Sequence, residues 1–188
     1  MEPGQVARYA RQIALPEVGP EGQAAICGAR VLIVGGDLAA ETARTYLIAA
    51  GVGSVETRSR SAGDGAAWLD ALGGVDLVVR TDFDDDAMLG AAERLGVPVV
   101  VARAEADRVD LLSFPRREPN PNAEVDVRGR PAQPTADGAT GVLAGTLAAA
   151  EALATLLRDD AAPPRSSTHH LRLPVDGSEP IAQKIPRP

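Results

Sequence analysis

Residues 30–53 read RVLIVGGDLAAETARTYLIAAGVG, and the order of events in this stretch decides the fold. Val31-Leu32-Ile33-Val34 is a short apolar run with the length and β-branched content of a buried parallel strand. The glycine pair Gly35-Gly36 breaks it. A helical pattern follows, in which Leu38, Thr42, Thr45, Tyr46, Ala49 and Ala50 recur at three- and four-residue spacing, and Gly51 closes it as a C-cap. Strand, glycine turn and helix form the first unit of a dinucleotide-type fold, whose helix N-terminus normally holds a phosphate. A G-x-G-x-x-G turn starting at Gly35 needs glycines at 37 and 40. This chain has Asp37 and Ala40 there.

The rest of the chain fits an α/β protein. Its 188 residues make one domain with a core of reasonable size, and 45% of them are apolar but only 3% aromatic. Such a core must be built from Ala, Val and Leu, which suits close helix-on-sheet packing. A net charge of −7 argues against nucleic acid or an anionic membrane as partner. There is no run of 18 apolar residues and no opening signal peptide, so a soluble cytoplasmic protein is expected. Cys27, the single cysteine, excludes an intrachain disulfide and a multi-cysteine zinc site.

Outward from the decisive stretch, residues 5–15 predict an amphipathic helix with Val6, Tyr9 and Ile13 on one face and Arg8 and Arg11 on the other. Gly22–Gly28 reads as a second short helix and Ser54–Arg58 as a strand. At the end of that strand, where a nucleotide-binding fold places an acidic ribose ligand, stand Ser59, Arg60 and Ser61. A brief helix over 66–73 and a buried strand over Val75–Arg80 follow. Next comes the acidic turn from Asp82 to Asp86, which could bind Mg²⁺ or cap the helix Ala87–Leu95 through its dipole. Strands are expected at Gly96–Ala102 and Arg108–Phe114, then a long Pro-, Arg- and Asn-rich loop over 115–137. Over Gly138–Arg158 a helix is predicted with Val142, Leu143, Thr146, Leu147, Ala150, Leu153, Ala154 and Leu157 along one face and small residues elsewhere for close packing. Residues 159–188 read as a polar linker, a possible edge strand at Thr168–Leu173 and a disordered tail from Asp176. His169 and His170 would point to opposite faces of that strand, so no metal site is expected of them. Arg58, Arg60 and Arg80 fall near the C-terminal ends of strands, where they could hold a carboxylate or serve as ordinary surface charge.

Taken together, these residues resemble the ThiF/MoeB/HesA family, which is related to ubiquitin-activating enzymes. The resemblance is carried by Arg8-Tyr9-Ala10-Arg11-Gln12-Ile13, by Leu15-Pro16-Glu17-Val18-Gly19, and by Gly22-Gln23. Ala29–Gly35 (ARVLIVG) and Tyr46–Gly53 (YLIAAGVG) complete it. It implies a Rossmann-like, mostly parallel α/β sheet flanked by helices over residues 1–158. It also implies a dimer that binds ATP and Mg²⁺ and adenylates the C-terminal glycine of a ubiquitin-like protein. The family's nucleotide loop falls on Gly35, Gly36, Asp37 and Ala40, where aspartate sets a negative charge against the phosphates. An unpaired Asp37 beside a triphosphate would cost several kcal/mol at an effective dielectric of about 20. The family's ribose-binding D-x-D falls on Ser59-Arg60-Ser61, and its phosphate-binding lysine has no counterpart, Lys184 being the only lysine in the sequence. Asp82 or Asp84 could correspond to the metal-binding aspartate, although a gapless match falls on Phe83. Arg11 holds the position of the arginine that reaches across the family's dimer to the partner's ATP.

The expectation is therefore a shortened, degenerate member without adenylation activity, cofactor or zinc. It would act as a homodimer, or as the inactive half of a heterodimer with a complete homologue, and could bind a ubiquitin-like or peptide partner. The alternative is an ATP- and Mg²⁺-dependent adenylyltransferase acting on the C-terminus of such a partner.

Overall fold

The apolar run at 31–34 becomes an inner strand of a seven-stranded sheet. The computed structural model describes residues 2–58, 65–81, 86–106, 108–114, 116, 138–158, 167–174 and 181–186. The chain opens with three short helices, α1 (Pro3–Arg8), α2 (Ala10–Ile13) and α3 (Gly19–Gly28), and then enters β1 (Arg30–Val34). Alternation follows: α4 (Leu38–Ala50), β2 (Ser54–Arg58), α5 (Gly65–Ala71), β3 (Leu77–Arg80), α6 (Asp86–Leu95) and β4 (Val99–Ala104). After these come β5 (Arg108–Phe114), α7 (Gly138–Leu156), β6 (Ser167–Pro174) and β7 (Ile181–Pro186). Strand order is β2-β1-β3-β4-β5-β6-β7. The first four strands of that order are parallel, and the last three run antiparallel to their neighbours.

Val31–Val34, Leu77–Val79 and Val99–Val101 are buried throughout, as strands covered on both faces must be. On one face Val31, Ile33, Leu77, Val79, Val100 and Ala102 pack under α4 and α7. On the other, Leu32, Val34, Val78, Val99 and Val101 pack with Trp68 of α5 and Met88 and Leu89 of α6. The C-terminal ends of β1, β3 and β4 therefore share one edge of the sheet, and the turn joining β4 to β5 lies there too, closed by Glu105 N–H donating to the Arg108 carbonyl at 2.9 Å.

Four expectations need correction. Residues 5–15 do not form one helix: the backbone leaves helical geometry at Tyr9 (φ −103°, ψ 15°), which separates α1 from α2. Tyr9 is buried because its ring lies over Gly51, where a Cβ would sit 2.6 Å from the phenol oxygen, whereas Val6 is exposed. Second, the residues whose spacing marks α4 as a helix are not the ones it buries. Its buried residues are Ala39, Ala40, Ala43 and Leu47, while Leu38 and Tyr46 are exposed. Third, α7 behaves in the same way. It buries Thr140, Gly141, Ala144, Gly145, Ala148, Ala149 and Ala152 and leaves Val142 and Leu143 exposed. The cause is distance, because α7 lies so close to α4 that a Cβ on Gly145 would collide with the Ala39 carbonyl oxygen and come within 2.6 Å of Thr42 Cβ. Only small residues fit such a contact.

The fourth correction concerns the C-terminal stretch. Thr168–Leu173 lies within β6, but β6 is an inner strand, and the presumed tail contains β7 paired to it from Ser167↔Pro186 to Arg172↔Ile181. The sequence IAQKIP hides this strand because Pro180 and Pro186 bracket it, and prolines are tolerated at the ends of an edge strand. The 115–137 loop, apart from Arg116, and residues 159–166 lie outside the described residues. By length and composition α7 alone, among the described helices, could cross a membrane. Here its small-residue side closes the core.

Candidate functional site

The turn after β1 is built from both sides. Gly35 has φ +151°, and a Cβ there would collide with Thr81 Oγ1 and stand 3.4 Å from Ala40 Cβ, so no side chain is possible at 35. Asp37 is the N-cap of α4, with extended backbone (φ −96°, ψ 177°). Its Oδ1 accepts the Ala40 N–H at 2.9 Å, as N-cap residues do for an unsatisfied first-turn donor. The same oxygen accepts the Thr81 hydroxyl at 2.7 Å. Thr81, buried just past β3, thereby ties the two parallel strands' ends together over the glycine turn. The anion at this helix N-terminus is the chain's own carboxylate.

That arrangement does not fit a nucleotide phosphate. A phosphate on this turn would compete with Asp37 Oδ1 for a first-turn donor, the Ala40 N–H, and would lack the closeness that glycine at 40 would allow. Ala40 is instead a buried methyl in the core. Gly36 is exposed.

The other predicted site residues are not drawn to this turn. Arg11 is exposed in the last turn of α2. Its neighbour Tyr9 packs on Gly51, at the far end of α4 from Asp37. The 13 residues of α4 separate those ends by about 20 Å at 1.5 Å per residue, so Arg11 could meet such a turn only on another subunit. Asp82 and Asp84, with Ser59, Arg60 and Ser61, lie outside the described residues. Among the described residues no three His, Cys, Asp or Glu side chains are grouped to hold a metal ion. Arg58 and Arg80 occupy the same level of the sheet, each paired in register with Val34. Arg58 is exposed, but Arg80 is only 2% exposed.

Sequence reasoning missed what surrounds Arg80. Two residues beyond Val78, Arg80 shares its face, the one under α5 and α6. Arg103 follows Val101 on that same face, and β5 sets Asp110 directly opposite Arg103. Arg108 also lies there, bonded to Glu105 and 3.5 Å from Asp110 Oδ2, while Arg103 is 3.8 Å from Glu105. Burial pushes the Arg103 guanidinium below its ordinary pKa. Glu105 and Asp110 oppose that shift, and the like charges of Arg108 and Arg80 add to it. The missed signal was hairpin register, which pairs 103 with 110 once β4 and β5 are known to be antiparallel.

Comparison with known proteins bears on the fold. No protein-family model matches the chain. A 52-residue stretch is 48% identical to the probable adenylyltransferase/sulfurtransferase MoeZ of Mycobacterium tuberculosis, covering 27% of this chain and 13% of that protein. A 51-residue stretch is 47% identical to the sulfur carrier protein adenylyltransferase of Thermus thermophilus, covering 27% of this chain and 19% of that one. These matches thus span less than a fifth of the relatives' own length. Over nearly the whole chain the likeness is structural. PaaA superposes with a TM-score of 0.69 at 11% identity, covering 98% of this chain and 75% of that one. MccB of E. coli superposes at 0.67 and 14%, covering 96% and 70%. The MccB structure with ATP gives 0.64 at 13%, covering 96% of this chain and 72% of that one.

Proposed function

We propose that this chain, which carries the fold of ThiF/MoeB-type adenylyltransferases, is a binding subunit whose nucleotide turn is closed. The observation that carries this reading is the double acceptance by Asp37 Oδ1 of the Ala40 N–H and the Thr81 hydroxyl. What remains of the fold is scaffold and surface. The outward apolar side chains of α4 and α7, Leu38, Tyr46, Val142 and Leu143, suit a dimer contact with a second copy or with a complete homologue. In the latter pairing Arg11 would be given to the homologue's site. The partner engaged by the pair would be the tail of a ubiquitin-like protein or a peptide, in the cytoplasm.

The comparisons support a second reading better than they support this one. Its matched stretch lies in proteins named adenylyltransferases, and MccB has been crystallised with ATP and with AMPCPP plus MccA. On that reading the chain is itself an ATP-dependent adenylyltransferase with an altered phosphate site.

Titration calorimetry with ATP and Mg²⁺, alongside light scattering, separates the two. A dimer that takes up no heat from millimolar ATP supports the closed turn. In that case Asp37→Gly, which frees the Ala40 N–H, is expected to raise nucleotide affinity from undetectable to measurable. Micromolar ATP binding by the unaltered chain overturns the first reading and favours the second.

A further inference from the structure

We propose that the N-terminal segment, residues 2–17, is a hinged strap latched to the body of the domain at one point, the Tyr9 ring on Gly51, and that this latch decides where Arg11 is held. The latch is read from this chain alone. Its use, the presentation of Arg11 to a partner subunit, rests on the binding-subunit reading above.

The latch is the first argument. Between Glu2 and Gly22 Tyr9 is the only buried residue, and neither α1 nor α2 buries a side chain of its own. Among the described residues, the hydrogen bonds of residues 2–17 close within residues 2–19. One aromatic ring therefore carries the attachment. Its seat is shaped for it: Gly51 has φ +92°, and a Cβ there would stand 2.5–2.8 Å from two ring carbons and the phenol oxygen of Tyr9. The Arg8 guanidinium lies 5.6 Å from the centre of the same ring, within the range of a cation–π attraction.

The hinge is the second. Gly19 has φ +60°, a left-handed backbone that glycine takes without strain, and Pro20 follows it. Val18 beside it packs against the core, and Gln23 is buried with its Nε2 donating to the Ala50 carbonyl at 3.0 Å. From the hinge onward the chain is fixed.

Energetics is the third. Helices of six and four residues do not hold in water by themselves, so α1 and α2 keep their form by being docked. Segments with so few buried contacts open locally, at free energies well below that of global unfolding. Arg11 is exposed and stands two residues past the latch. It is offered at a fixed place only while Tyr9 is seated, which makes Tyr9 a positioning residue for Arg11.

The test is hydrogen exchange of the full chain, read by mass spectrometry on peptides from the strap and from β1. Strap amides should exchange about tenfold or more faster in Tyr9→Ala, reaching the rate of unstructured peptide, while β1 stays protected by about a further hundredfold. Tyr9→Phe, which keeps the ring, should exchange like the unaltered chain. Placement of Arg11 is read separately by pulsed electron resonance, with nitroxides on Arg11→Cys and Arg44→Cys in a Cys27→Ser background diluted with unlabelled chain. A narrow distance distribution that broadens when Tyr9→Ala is added supports the latch. The proposal is overturned by a strap already unprotected in the unaltered chain, by exchange or distances that Tyr9→Ala leaves untouched, or by strap and β1 opening together. If Tyr9→Ala does not fold, exchange of the unaltered chain in low urea decides: local opening has a shallower urea dependence than β1, and one shared slope sinks the latch. None of these readouts involves nucleotide, so they stand or fall apart from the calorimetry that tests the binding-subunit reading.

Discussion

The two helical layers are built on opposite plans. Under α5 and α6 the space is filled by volume: Trp68, Leu72, Met88 and Leu89 point inward, packed against Leu32, Val34, Val78 and Val101. Under α4 and α7 the space is removed by approach. Gly141, Gly145, Ala148, Ala149 and Ala152 let one helix settle onto the other, and Leu38, Tyr46, Val142 and Leu143 are left outside, although Leu47 is fully buried and Leu147, Leu153 and Leu156 pack against the core. Exposed apolar side chains are ordinary when scattered. In the proposed dimer, the set that these two adjacent helices turn outward is the surface a second protein would cover. The strand ends on the two sides differ too. On the α4 side the edge of the sheet is closed by Asp37 and Thr81, and on the α5/α6 side it gathers arginine.

If the plans differ in this way, the layers should fail to opposite kinds of change. The largest effect is expected from Trp68→Ala, which empties the volume-filled layer. Trp68 is 4% exposed, and truncating a buried tryptophan costs about 3–5 kcal/mol, of which part is the cavity left behind. Urea unfolding followed by far-UV dichroism measures it. A loss below about 1 kcal/mol, the size of an ordinary surface change or less, would mean that α5 is not a structural part of that layer.

The α4/α7 layer should fail instead when atoms are added. Gly145→Ala supplies better helix propensity by about 1 kcal/mol, so an open site would gain stability. Here the new methyl meets the Ala39 carbonyl and Thr42 Cβ. Backbone cannot yield cheaply, and overpacking costs about 1–3 kcal/mol, so a net destabilisation is expected in the same urea experiment. A stabilised variant would break the comparison, because it would show the helices standing apart.

How much of this was legible beforehand follows the same division. Some spans were legible because local signals set them, as at β2 and β5, which begin and end where alternation and turn residues put them; the break at Tyr9 and β7 were not. Facing was not. In α4 and α7 the larger side chains dominate any periodic pattern, yet burial went to the alanines, because closeness between two helices is a tertiary fact. That the turn carries Asp37 and Ala40 in place of glycine was legible in the sequence itself. Its second lock was not, since Thr81 is 44 residues away and nothing near it in sequence announces the contact. The arginine cluster needed one long-range fact, the antiparallel pairing of β4 with β5.

The smallest effect on the folded chain is the most informative about the outward surface. Val142 is 43% exposed and Leu38 42%, and Leu38 packs across Gly141 on α7, where a Cβ would lie 3.3 Å from its own. Replacing Val142 with Ser removes apolar area that already faces water in the isolated chain. Surface substitutions of this kind stay within about 0.5 kcal/mol, so unfolding at low protein concentration should hardly change. Association is another matter. If this face is covered by a second copy, the same substitution deletes buried apolar area twice across a two-fold contact, at about 25 cal/mol per Å² removed. Sedimentation of the Val142→Ser variant should then show the dimer shifted towards monomer while monomer stability holds. A variant that sediments like the unaltered chain would take Val142 out of the contact and leave the outward face of α7 to some other partner.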